Sequence, residues 1–231
     1  MSNVVLNVNH DPALSGFGTD IRGLDRQTLA MCYLWLAHLF AAPPDCDRVA
    51  SYRRGKLADW IAVLSGPAGF GPQTAQITRV LDSALDDRAL AARLGAGHAR
   101  LFAGAGGPAT VSPYESAYFG NGRLFQAPAA EMAALLSAHD LSVDPAMREP
   151  ADYLPIELAL IAHFIASADS AEHAVRERLS GWIPKFCAKC ADRDDLGFWA
   201  GAAQVLAAIL ESDPARSLPG HLQTTCQPRR T

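Results

Sequence analysis

Apolar residues recur along this chain at helical spacing and almost nowhere alternate, which leaves a helical fold as the only way to bury them together. In "DRQTLAMCYLWLAHLF", residues 25–40, the side chains of Leu29, Tyr33, Leu36 and Phe40 fall at i, i+4, i+7 and i+11, on one face of a helix. The same spacing predicts helices over about 48–64, 74–85, 87–103, 128–140, 152–168, 171–191 and 195–211, divided by turns such as "APPD", "SGPAGFGP" and "VDPAMREP". "VVLNV", Val4 to Val8, is the one strand-like segment. The expectation is an all-α fold: one helical domain over 24–212, with an N-terminal tail over 1–23 and a C-terminal tail over 213–231, both poor in core-forming residues.

The 231 residues are 49% hydrophobic and 19% charged, enough for one substantial core or two small ones, of which one domain is the expectation. A net charge of −4 provides no basic face for nucleic acid, where Lys and Arg contacts to phosphate dominate affinity. No apolar run approaches the roughly 20 residues that span a bilayer. Met1 to His10 lacks the basic start and long apolar stretch of a secretory signal, so a cytoplasmic location is expected. Five cysteines, an odd count in a chain of this size, fit reduced thiols.

Two stretches concentrate chemistry. "EPADYLPIELALIAHF", Glu149 to Phe164, sets two carboxylates and a tyrosine ahead of an apolar helix, with Leu154, Leu158, Ile161 and Ile165 as its core stripe. Asp152 reads either as the helix cap or, with Glu149, as an outward carboxylate pair for a cationic partner, and Pro155 suits the first turn. Glu157 is expected to be solvated or paired. The second stretch, Ala103 to Arg123, is a long connection carrying Pro113, Tyr114, Glu115, Ser116, Tyr118 and Phe119, whose aromatics argue for an ordered loop. Its glycines lack the Gly-Lys-Ser/Thr ending and the preceding strand of a phosphate loop.

The remaining features have structural explanations. "CAKC", Cys187 to Cys190, has thioredoxin-like spacing inside a helical run without a βαβ context, which leaves a small thiol- or cofactor-dependent helical enzyme as the alternative function. The seven histidines form no His-x-x-x-His pair or Glu-x-x-His repeat, so no metal or other cofactor is expected. "RRGK", Arg53 to Lys56, resembles part of a twin-arginine signal but reads as the charged start of a helix, and Trp182 and Trp199 read as core, with Pro184 as a kink.

"HARLFAGAGGPATVSPYESAYF" (98–119), "EPADYLPIELALIAHF" (149–164) and "LSGWIPKFCAKCADRDDLGFWAGAAQVLAAIL" (179–210) together resemble, in order and spacing, the signatures of the TorD/DmsD/NarJ family of redox-enzyme maturation chaperones. The resemblance spans roughly 27–211. It implies an all-helical, non-catalytic cytoplasmic chaperone, monomeric or homodimeric. Its partners would be the catalytic subunit of a molybdenum oxidoreductase, that subunit's twin-arginine signal peptide, and molybdenum-cofactor biosynthesis proteins. The implied peptide site comprises Glu149, Asp152, Tyr153, Pro155, Pro113, Tyr114, Glu115, Ser116 and Tyr118. After the motif aspartate the TorD/DmsD branch usually has histidine, whereas Tyr153 followed by Leu154-Pro155 is similar to the NarJ branch.

Overall fold

A computed structural model describes residues 4–6, 25–66, 68–104, 107–119 and 126–212. The sequence periodicity becomes α1 (Arg26–Ala41), α2 (Cys46–Arg54), α3 (Lys56–Ser65), α4 (Gly71–Leu81), α5 (Asp87–Phe102), α6 (Ala127–Ala138), α7 (Leu154–Ser167), α8 (Glu172–Arg193) and α9 (Phe198–Ser212). Three of these start on aspartates whose carboxylates accept a backbone N–H three residues on: Asp25 from Thr28 at 2.6 Å, Asp45 from Arg48 at 2.8 Å and Asp86 from Ala89 at 2.7 Å. None of the described helices is long and apolar enough to cross a membrane. The C-terminal tail and most of the N-terminal tail expected from sequence lie outside the described residues.

Two local departures have plain causes. The helix expected over 48–64 is two helices, because Gly55 adopts an extended backbone and Ser51 Oγ accepts the N–H of Leu57 at 3.3 Å, capping α3 from within α2. A Cβ on Gly55 would stand 3.0 Å from the Ser51 Cα, so any larger residue at this junction must push the α2 backbone aside. Strand β1 (Val4–Leu6), inside the stretch assigned to the tail, pairs in parallel with β2 (Leu141–Val143), and Leu6 and Leu141 are buried at the join. Partners so far apart in sequence leave no local signal of their pairing.

α7 is the axis of the fold. Apart from Glu157 its buried positions are apolar around the whole helix, and it is buried through Ile165 except at His163, with α1 laid along it and α8 beside it. α9 packs on α4 and α8. Phe40, Phe102, Phe186 and Trp199 close the core between α1, α5, α8 and α9, their ring centroids 5.5–6.0 Å apart from one to the next. α8 runs through Pro184 as one helix, and the carbonyl of Ser180, which loses a donor there, belongs to an exposed residue. Trp182 and Trp199 are buried, as their apolar context predicts.

A cleft between the 110–119 connection and the start of α7

The connection that follows α5 returns to the start of α7 and pairs with it. Leu154 N–H donates to the carbonyl of Pro113 at 2.8 Å and Glu115 N–H to that of Asp152 at 3.0 Å, an antiparallel bridge centred on Tyr114 and Tyr153. That pairing sets the two tyrosine rings 5.2 Å apart at 32°. Tyr114 then donates its hydroxyl to exposed Glu149 at 2.7 Å. Burial raises the phenol of Tyr114 above its ordinary range and pushes that of Tyr153 up to about 12, so both keep their protons at neutral pH.

Pro113, Tyr114, Tyr153 and Glu149 form one side of a cleft of about 570 Å³, and Ala41, His98, Phe102 and Thr110 face them across it. Gly104, at φ 77°, turns the chain at its rim, a conformation that suits glycine. His98 hydrogen-bonds the carbonyl of Phe40 through Nε2 at 3.1 Å; a carbonyl only accepts, so Nε2 carries the hydrogen. Burial lowers its pKa and keeps the imidazole neutral. The cleft therefore joins one exposed carboxylate, oriented by a phenol, to aromatic and aliphatic surface. That combination suits a cation with an apolar neighbour. Sequence reasoning missed His98 and Phe102 as cleft residues because their helical spacing reads as core, and Thr110 because nothing marks it within the 103–123 connection; a histidine among apolar positions of α5 was the one available sign.

The other expected site residues stand behind this surface. Asp152 was expected either to cap the helix or to face outward, and it does neither: it is 0% exposed, α7 begins at Leu154, and its N-cap residue is Tyr153. Its Oδ2 instead accepts the backbone N–H of Ser116 at 2.9 Å and the Ser116 hydroxyl. Pro155, in the first turn of α7, is also buried. Tyr118 lies outside the cleft lining, its hydroxyl donated to the Ser112 carbonyl at 2.8 Å and its ring 5.0 Å from that of Trp182.

Glu157, expected to be solvated or paired, is instead 0% exposed and accepts the Trp182 indole N–H at 3.2 Å. Glu115, also buried, pairs with Arg178 at 2.5 Å, and Arg178 reaches Glu131 at 2.6 Å. Burial, then repulsion from Glu115, raises Glu157 well above the ordinary carboxyl range. Burial raises Glu115 too, against the opposing pull of Arg178 and a hydrogen bond with Glu157. Of the two, Glu157 is raised the more strongly and takes up a proton first, while Glu115 faces the Arg178 guanidinium.

The sequence profile described as nitrate reductase delta subunit matches residues 67–188, just over half of the 231 residues. The chain belongs to the TorD/DmsD/NarJ family of redox-enzyme maturation chaperones. It is 27% identical over 197 residues to chaperone protein TorD of Vibrio cholerae (strain ATCC 39541), covering 80% of this chain and 89% of that one. It is 28% identical over 205 residues to chaperone protein TorD of Escherichia coli (strain K12 / DH10B), covering 82% and 96% respectively. In fold it is similar to the crystal structure of a redox enzyme maturation protein from Archaeoglobus fulgidus, with TM-score 0.50, 21% identity and coverage of 85% of this chain and 99% of that one.

Within this TorD-like chain the Cys187/Cys190 pair has the wrong surroundings for thiol chemistry. Cys187 donates its thiol to the Ala203 carbonyl at 3.0 Å, and burial pushes its pKa up to about 12. Cys190 is fully buried and raised well above the ordinary thiol value by that burial. Both lie near the C-terminal end of α8, where the helix dipole disfavours a thiolate. Among the described residues, no group of three or more His, Cys, Asp and Glu side chains is placed to hold a metal.

Proposed function

We propose that this chain is a cytoplasmic chaperone for the catalytic subunit of a molybdenum oxidoreductase, and that its cleft holds the subunit's twin-arginine signal peptide while cofactor insertion proceeds. The observation that carries this reading is Glu149, an exposed carboxylate fixed by the Tyr114 hydroxyl at 2.7 Å on the rim of a cleft with an apolar floor. A guanidinium pairs with that carboxylate and lies along the Tyr114 and Tyr153 rings, while the apolar residue next to it enters toward Phe102. Pro113 shapes the wall. Asp152, Glu115, Ser116 and Pro155 hold that wall from behind, and Tyr118 fastens its far side. Molybdenum-cofactor biosynthesis proteins are the further partners in this reading.

Isothermal titration with a twin-arginine peptide tests it. Glu149→Gln weakens binding about fivefold to tenfold, as expected for one partly solvated charge-assisted pair. A peptide with both arginines replaced by glutamine binds the wild type no better than the variant. Equal affinity of wild type and Glu149→Gln for the twin-arginine peptide at low salt excludes this cleft as the site.

A further inference from the structure

A second surface stands on the other side of the same connection. Lys185 and Lys189, one turn apart on α8, have no carboxylate partner among the described residues. Each is held over an aromatic ring: Lys189 Nζ lies 4.5 Å from the Tyr118 centroid and Lys185 Nζ 5.9 Å from that of Phe119. The neighbouring cations of α8 are already engaged, Arg178 by Glu115 and Glu131, and Arg193 by the Thr110 carbonyl at 2.7 Å. Phe119 is 40% exposed, and its ring rests on the exposed backbone of Gly181.

Tyr118 is anchored by its hydroxyl to Ser112 and by its ring to buried Trp182, so the ring beneath the Lys189 ammonium is held at a fixed place. Ser112 also lines the cleft, so the anionic cleft and the cationic α8 face share one wall, residues 112–118. A chain of net charge −4 repels long polyanions at a distance, which leaves short-range pairing to a few carboxylates as the match for two lysines beside an exposed ring.

We propose that this face of α8 docks an acidic segment of the client polypeptide, its carboxylates paired with Lys185 and Lys189 and an apolar side chain laid on Phe119. The identity of the occupant as client rests on the function proposed above; the binding chemistry is read separately. A fluorescently labelled peptide of alternating Glu and Leu, titrated into the full chain, is the probe. It binds wild type with an affinity that falls as salt is raised. The Lys185→Gln/Lys189→Gln double variant binds it about tenfold more weakly, whereas Lys185→Arg/Lys189→Arg retains it. Phe119→Ser weakens it further without altering its salt dependence.

Glu149→Gln leaves this titration unchanged, and the lysine variants leave twin-arginine peptide binding unchanged, so failure at one surface is distinguishable from failure at the other. The proposal is overturned if wild type shows no binding of the acidic peptide, or if the double Gln variant matches wild type at unchanged melting temperature. Tighter binding of a single-stranded oligonucleotide than of the peptide at these lysines overturns it as well.

Discussion

Ser116 gives both its backbone N–H, at 2.9 Å, and its hydroxyl to a single oxygen, Oδ2, of the fully buried Asp152. This pair of hydrogen bonds to one carboxylate locks the 110–119 connection onto the entry to α7 and so fixes where Tyr114, Tyr153 and Glu149 stand relative to one another. Asp152 acts on the cleft through position. Hydrogen bonds to a charged group contribute about 1.5–3 kcal/mol, so Ser116→Ala and Asp152→Asn are each expected to cost about 1–3 kcal/mol. That corresponds to a fall of roughly 2–4 °C per kcal/mol in melting temperature for a chain of this size. A double-mutant cycle should show coupling above about 0.5 kcal/mol. Simple additivity of the two losses, measured by denaturant unfolding, contradicts the direct bond.

Burial raises Glu157, and stability should follow its titration. Its folded pKa is raised, so between the ordinary carboxyl value of about 4.3 and that raised value the folded chain holds a proton that the unfolded chain has released. The stability it contributes is present in full below about 4.3 and is lost as pH rises through this window. Glu157→Gln mimics the protonated form, with its amide facing Glu115 and its carbonyl accepting from Trp182. The variant is expected to lose this pH slope and to melt no lower than wild type near pH 7. A variant that melts several degrees lower at pH 7 places a charged Glu157 in the folded chain.

Steric filling of the cleft separates its role from that of its charge. Ala103 is exposed at the C-cap of α5 and lines the cleft, so Ala103→Trp fills the space facing Tyr114 without disturbing the core. Twin-arginine peptide binding is expected to fall more than tenfold while the melting temperature stays within about 2 °C, the usual range for a surface substitution. Undiminished binding by this variant, read by calorimetry, moves the peptide elsewhere.

Thiol reactivity is expected to divide by burial. Cys46 is exposed, Cys32 and Cys190 are buried, and Cys187 is tied to the Ala203 carbonyl. Burial raises Cys32, Cys187 and Cys190 above the ordinary thiol value. At pH 8 a disulfide reagent followed by peptide mapping should label Cys46 rapidly and these three slowly. Replacing Cys187 and Cys190 by Ser should leave client maturation intact. Fast modification of Cys187 in the folded chain restores the thiol-enzyme alternative.

The helices were legible in sequence because their determinant is local. A stripe such as Leu29, Tyr33, Leu36 and Phe40 needs only 3.6-residue geometry to become one face. The tight junction at Gly55 and the strand pair Val4–Leu6 with Leu141–Val143 were not legible, since one depends on a close backbone approach and the other on partners far apart along the chain. In the site, sequence identified the two segments but not the orientation of their carboxylates. Glu149 and Asp152 are chemically equivalent as written, three residues apart. Tertiary packing made one a solvent-facing carboxylate and the other a buried anchor, because Ser116 offers two donors where Asp152 sits and only the Tyr114 hydroxyl reaches Glu149 at the rim. Glu157 follows the same rule: periodicity put it on a helix, and only the surrounding fold, which removes water and sets Glu115 beside it, raises its pKa.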